Sequence, residues 1–262
     1  MLINLVAMAT ASTTFATTDA WVRVERPTQC SVRRSFEADG RALTVRLSRM
    51  PESGDGVVEL FVPASEHPRP NGKARLGFGG GEADVAVPFQ ARVDADSGQP
   101  VIGLPLTSAE LGRAVAATSW TVSGVTRKPM ELSNDGGAGV AALFDACGAD
   151  MLSAWAIDPA AVAAVATRAV GAPGYFITNA DYPKEAVAAG EQGTGIMLWQ
   201  IGIDGRAHDC RMIQTTGSPS LDATSCVTMV ERGRWATPAL DRDGKPVPSW
   251  ARRVMRWMLP GR

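Results

Sequence analysis

Histidine is nearly missing from this chain: His67 and His208 are the only two in 262 residues. A hydrolytic triad would need one of them beside a nucleophile, yet His67 is followed by Pro68 and Pro70 in an evident loop and His208 sits at an exposed strand position. Gly-x-Ser-x-Gly is absent. The run Phe78-Gly79-Gly80-Gly81 has no helix-opening Lys-Ser/Thr behind it, so it reads as a turn rather than a phosphate cradle. Asp94 to Gly98 begins like a calcium loop, but glycine stands at its third ligand position and Pro105 at its twelfth. Asp241 and Asp243 read as hairpin residues. No Cys-x-x-Cys occurs, which argues against zinc. Catalytic residues, metal ligands and cofactors are therefore not expected. Excess charge is lacking too: 26 Lys and Arg against 27 Asp and Glu leave −1, so no overall field favours nucleic acid or an anionic membrane. No apolar run reaches the roughly 18–20 residues of a transmembrane helix.

What is present suits a folded chain. With 45% hydrophobic and 20% charged residues, 262 residues can bury a core and fit two ordinary domains. Residues 1–16 form a short apolar stretch followed by small residues, with cleavage-like sites ending at Ala9, Ala11 and Ala16. That is a signal-peptide shape, although the first basic residue is Arg23. The four cysteines, Cys30, Cys147, Cys210 and Cys226, read either as disulfides of an exported protein or as buried thiols.

Over 21–104, short valine-rich alternating segments are separated by Asp39-Gly40, Ser53 to Gly56, Pro70-Asn71-Gly72 and Gly79 to Gly81. Turns every 8–12 residues or so predict an antiparallel sheet, sandwich or small barrel. A helix is predicted over 107–118 with a Thr or Ser cap, then a strand over 120–125. Val140, Phe144, Cys147, Met151 and Trp155 form the apolar stripe of a second helix over 139–157. The expected organisation is a β-rich domain over 20–158 and an alanine-rich linker over 159–174. A smaller α+β domain then fills 175–262.

The last segment has the clearest signals. Asp181, Pro183 and Gly190 outline a short helix, and Asp204-Gly205 suggests a type I′ hairpin between two strands of 193–212. Ser218 and Pro219 open a helix with Ala223, Cys226, Val227 and Val230 on one face, and a strand over 249–259 follows Asp243-Gly244. The order is helix, two strands, helix, strand. This order resembles the C-terminal domain of TonB-family energy transducers. The resemblance is carried by Tyr182-Pro183, Glu185-Ala186, Gly190, Gly193-Thr194, Asp204-Gly205-Arg206, Gly217-Ser218, Leu221-Asp222, Arg234-Trp235, Pro238-Ala239 and Gly244 to Val247. It implies a two-helix domain with a three-stranded antiparallel sheet in a non-catalytic protein of the Gram-negative periplasm. It also implies a partner, an outer-membrane TonB-dependent transporter or other envelope protein, engaged by strand addition. Residues 143–159 are loosely similar to an envelope domain that precedes TonB-like modules.

Strand addition directs attention to Trp250, Arg252, Val254, Arg256 and Met258, which share one face of the last strand. Basic residues there either recognise an acidic partner or deter edge-to-edge aggregation. Ile196 and Leu198 alternate with Met197, Trp199, Ile201 and Ile203 and should point outward, toward the N-terminal domain, a second copy in a homodimer, or a partner. One cysteine pair falls in each proposed domain, so Cys30 is expected to bridge Cys147, and Cys210 to bridge Cys226. The alternative function is a small-ligand-binding or enzymatic β-rich domain with the TonB-like module as a docking tail. For that reading only Trp21, Trp120, Phe61 and Phe78 offer stacking groups, and core packing accounts for them more readily.

Overall fold

A computed structural model describes residues 13–79, 83–134, 137–171 and 176–259 of this α+β protein. It divides into two units, 1–148 and 149–262. The division falls ten residues before the boundary expected from composition.

In the first unit the alternating segments become β1 (Thr13–Thr17), β2 (Val22–Val24), β3 (Cys30–Ala38), β4 (Arg41–Arg49), β5 (Gly56–Phe61), β6 (Asn71–Gly77), β7 (Val85–Val93) and β8 (Pro100–Leu106). Then come α1 (Ser108–Ala116), β9 (Ser119–Ser123), β10 (Met130–Ser133) and α2 (Ala138–Ala154). Thr107 and Glu110 form a reciprocal capping box that starts α1. The strands pair in the order β1-β10-β9-β6-β7-β8-β5-β4-β3, and β1 also pairs with β3, closing a nine-stranded barrel with β2 added outside β3. Closure abolishes the sheet edges that would otherwise need protection. Alternate side chains fill the interior, among them Phe36, Leu43, Val45, Leu47, Leu60, Ile102 and Leu104, all almost fully buried.

β1 departs from expectation. Thr13 to Phe15 run parallel to Met130 to Leu132, while Ala16 and Thr17 pair antiparallel with Glu37 and Phe36. Phe15 keeps only 1% of its surface exposed. The second part of the signal-like stretch is therefore the strand that closes the barrel, and cleavage after Ala16 would remove it. Residues 1–12, the first part of that stretch, lie outside the described residues.

Arg34 is the exception in the interior row of β3. Its Nε donates to the Asp19 carbonyl at 2.6 Å and Nη1 to Asn134 Oδ1 at 3.3 Å, beside the Trp21 ring. Asn134 in turn donates to the Ala117 carbonyl. Hydrogen bonding of this kind lets a polar group occupy a core position. Cys30 bridges Cys147 with a Cα separation of 5.8 Å, tying β3 to α2.

The second unit holds α3 (Pro159–Ala163), α4 (Lys184–Ala189), β11 (Gly193–Ile201), β12 (Ala207–Gln214), α5 (Pro219–Arg232), β13 (Ala239–Leu240), β14 (Pro246–Val247) and β15 (Ser249–Trp257). The expected linker is not a free connector. α3 lies within it, capped by Asp158, and Thr167 and Val170 bridge to Leu240 and Thr237. Among the described residues no helix is long and apolar enough to cross a membrane.

α2 ends with a left-handed residue, Ala156, at φ 52°. The Ile157 N–H bonds to the Leu152 carbonyl and the Ala156 N–H to that of Ser153, the pair of bonds that defines a Schellman stop. This stop folds Ile157 back against Leu152, and both pack on Leu198.

Candidate functional site

The three-stranded sheet has the order β12-β11-β15, with β15 antiparallel to β11. Its core on one face is Met197, Trp199 and Ile201 against Met229 and Trp235, with Cys226 and Met255 beside them. On the opposite face Leu198 lies under Leu152 and Ile157, flanked by Trp155, Ile213 and Trp250. The outward aliphatic pattern thus has a cover, and it comes from the end of α2 and the residues after it. Leu198 is fully buried, so it offers no exposed surface to a partner, and Ile196 is half-buried. Ile203, expected to point inward, is 60% exposed because β11 stops at Ile201.

The turn after β11 also differs in type. Only Gly205 takes a positive φ; the Gly205 N–H bonds to the Gly202 carbonyl and the Gly202 N–H to that of Arg206. A type I′ turn needs positive φ at both central residues, so Asp204-Gly205 instead supplies the left-handed glycine of a longer loop. Asp204 Oδ1 accepts from the Arg206 N–H and lies 3.1 Å from His208 Nε2, and these contacts hold its carboxyl below the usual aspartate value.

α5 begins as its sequence indicates, with Ser218 Oγ accepting from the Leu221 N–H and Pro219 in the first turn. Its buried face, however, is Leu221, Ser225, Thr228 and Met229, whereas Val227 and Val230 are exposed. Ser225 can face the core because its Oγ donates to the Leu221 carbonyl and accepts from Trp257 Nε1 at 3.0 Å. Cys226 reaches Cys210 on β12 at a Cα separation of 5.2 Å, which staples helix to hairpin.

Two acids brace the frame. Asp222 Oδ1 accepts from the Thr216 N–H and hydroxyl, and Oδ2 from Thr215. Burial works against ionisation of Asp222, but these hydrogen bonds outweigh it and hold its pKa below the ordinary value. Asp181 does not cap α4, whose cap position is Pro183. It accepts from the Thr178 N–H and hydroxyl and pairs with Arg232 at 2.8 Å, and these contacts overcome burial to lower its pKa.

The sheet has two outer edges, and they differ. β12 faces β11 with two register shifts, which leave extra residues on β12, and its Asp209 takes φ 52°. Bulges of this kind spoil an edge as a pairing template. β15 runs without interruption from Ser249 opposite Ile201 to Trp257 opposite Gly193, and among the described residues nothing pairs with its other side. A hollow of about 260 Å³ lies against it, lined by Ile177, Met197 and Arg253 to Arg256.

Of the residues expected at this edge, Val254, Arg256 and Met258 are exposed. Arg252 is half-buried, and Trp250 packs into the Leu198 cluster. The sequence reading missed Arg253 and Ile177. The adjacent pair Arg252-Arg253 was the available signal, since neighbours on a strand point to opposite faces. Neither Arg253 nor Arg256 has an ion-pair partner among the described residues.

Elsewhere, His208 bonds to Asp204, and His67 sits in a loop at φ 46°. Among the described residues no cluster of three or more His, Cys, Asp or Glu could hold a metal ion. No curated protein and no solved structure matches the chain. A family model does: residues 178–259, which include β11, β12, α5 and β15, match Gram-negative bacterial TonB protein C-terminal, so the last third of the chain is similar to a TonB C-terminal domain.

Proposed function

We propose that the second unit takes an extended segment of an outer-membrane transporter, or of another envelope protein, as an added strand on β15. The protein would act without catalysis, in the periplasm, as the receptor-facing part of TonB-type transport. The observation that carries this reading is the unbroken nine-residue strand β15 with one side unpaired, next to a second edge that is bulged. Main-chain groups on such an edge provide affinity, and alternate side chains provide selection. Arg253 and Arg256 stand beside it without acidic partners, so an acidic segment fits better than a neutral one. The same charges argue against a homodimer through β15, which would bring two rows of arginines together. Affinity should be in the micromolar range, as for other small interfaces.

The test is NMR titration of the full chain with peptides from transporter periplasmic segments, using two proline variants. N–H groups of adjacent strand residues point to opposite sides, so one of Arg253 and Val254 donates toward β11 and the other toward the open edge. One of Arg253→Pro and Val254→Pro should therefore disturb the sheet, while the other keeps the fold and loses binding. Val254→Thr should retain binding. Full binding by a folded proline variant at both positions, or no binding of any such peptide to the unmodified protein, would reject the reading.

A further inference from the structure

A second hollow lies in the first unit, far in sequence from the β15 edge, and the reading above makes no use of it. It measures about 810 Å³ and runs between α1 and the start of α2, over the turn that joins β4 to β5. That is within the size range of small-molecule sites, roughly 300–1,000 Å³. Its apolar lining is Leu111, Val115 and Phe144, and Leu111 and Phe144 are almost fully buried. At one end the helices meet: a Cβ added to Gly137 would lie 1.7 Å from the Val115 carbonyl oxygen. At the other, Arg49 reaches the Phe144–Asp145 level of α2.

Two glycines keep the space open. Gly112 lies within α1 and Gly139 in the first turn of α2, and a Cβ at either would meet nothing within 4 Å. Neither is required by a positive φ or by a close neighbour. Glycine inside a helix is less stable than alanine, so packing within the helices does not explain the choice. An open groove does. The Cys30–Cys147 bridge fixes one wall of it to the barrel.

The polar end is sparse and cationic. The Arg49 guanidinium stacks 5.0 Å from the Phe144 ring centre and donates one Nη2 hydrogen to exposed Asp145 at 2.9 Å. Its other N–H groups have no partner among the described residues. Ser108 adds one hydroxyl to the lining. One cation and one hydroxyl cannot satisfy a sugar or a polyphosphate, which need many donors and acceptors. They can satisfy a single carboxylate, and the rest of the groove then takes an apolar body.

We propose that the groove between α1 and α2 binds a small amphipathic carboxylic acid, such as a medium-chain fatty acid, with its carboxylate on Arg49 and its aliphatic body along Leu111, Val115 and Phe144. This gives the first unit a ligand of its own, independent of what β15 engages.

Calorimetric titration of the full chain with decanoate and with decanol tests it. Decanoate should bind at one site and more tightly than decanol. Gly112→Leu and Gly139→Leu fill open space and favour helix, so each should weaken decanoate at least about tenfold while the melting temperature holds or rises. Arg49→Met keeps an apolar stem, and it should weaken decanoate about tenfold and leave decanol nearly unchanged. Asp145→Asn, at an exposed position, should tighten decanoate by removing the competing carboxylate. Absence of saturable decanoate binding, or unweakened binding to both leucine variants, overturns the site. Equal effects of Arg49→Met on acid and alcohol overturn the role of Arg49.

Discussion

The cover over Leu198 can be removed one side chain at a time. Ile157 is 3% exposed and Leu152 5%, and both pack on a leucine with no exposed surface. Truncating a buried Leu or Ile to Ala loses its transfer energy and leaves a cavity, together about 2–5 kcal/mol. Ile157 contributes twice, because its N–H also completes the stop that ends α2, but the substitution spares that backbone bond. A value near 3 kcal/mol is therefore reasonable for Ile157→Ala. The unfolding entropy of globular chains is about 2.1 cal/mol/K per residue, so a unit spanning 149–262 loses roughly 4 °C for each kcal/mol. The expected shift is about 12 °C. Differential scanning calorimetry of the full chain should show the transition of the second unit moving down while that of the barrel stays. Leu152→Ala should behave alike, and pairing either with Leu198→Ala should give less than the sum, since the residues share one cluster. A fragment starting at 175 lacks the whole cover and should melt well below one starting at 149. If both single variants shift the transition by less than about 3 °C, the segment after residue 148 does not hold the sheet face, and the reasoning fails.

Three further outcomes follow from the geometry. Phe15→Ala, or deletion of 13–17, should destabilise the barrel by about 3–5 kcal/mol in urea titrations, and N-terminal sequencing of exported protein should find Thr10 or Ser12 first rather than Thr17. Ala156→Gly should raise the stability of the second unit by about 0.5–1 kcal/mol, since glycine adopts the left-handed stop without a Cβ clash; an unchanged denaturation midpoint would contradict this. Asp181 and Asp222 both have folded pKa values lowered from 3.8, so their contribution is complete above that value and is lost as pH falls through the lower folded one. Urea midpoints of the second unit should thus drop below about pH 4, and Asp222→Asn should flatten that decline.

Local chemistry in the sequence was sufficient for elements whose stabilising contacts are near in the chain. The Thr107 cap, the Ser218-Pro219 helix start and the places of the turns at Asp204-Gly205 and Asp243-Gly244, though not the type of the first, depend on residues a few positions apart. The alternating segments between 21 and 93 became strands because a half-buried strand repeats every two residues whatever its neighbour is. One cysteine pair in each expected domain was enough to indicate both bridges. The family likeness of the last third rests on the same kind of ordered local signals, and it matches residues 178–259.

Tertiary structure decided what alternation and composition leave open. Thr13–Thr17 reads as small and apolar, which suits a leader peptide and a buried strand equally; only pairing with β10 and β3 distinguishes them. Leu198 on an outward face implies a cover without naming it, because the cover lies more than thirty residues away and is aimed by a left-handed alanine that carries no sequence signature. The face of α5 went to Ser225 and Thr228 over Val227 and Val230 because an indole N–H from β15 meets a serine there, a partner that helical periodicity cannot contain. The open edge of β15 is likewise a property of the sheet. Any strand has two sides, and which one stays unpaired depends on the order in which distant strands assemble.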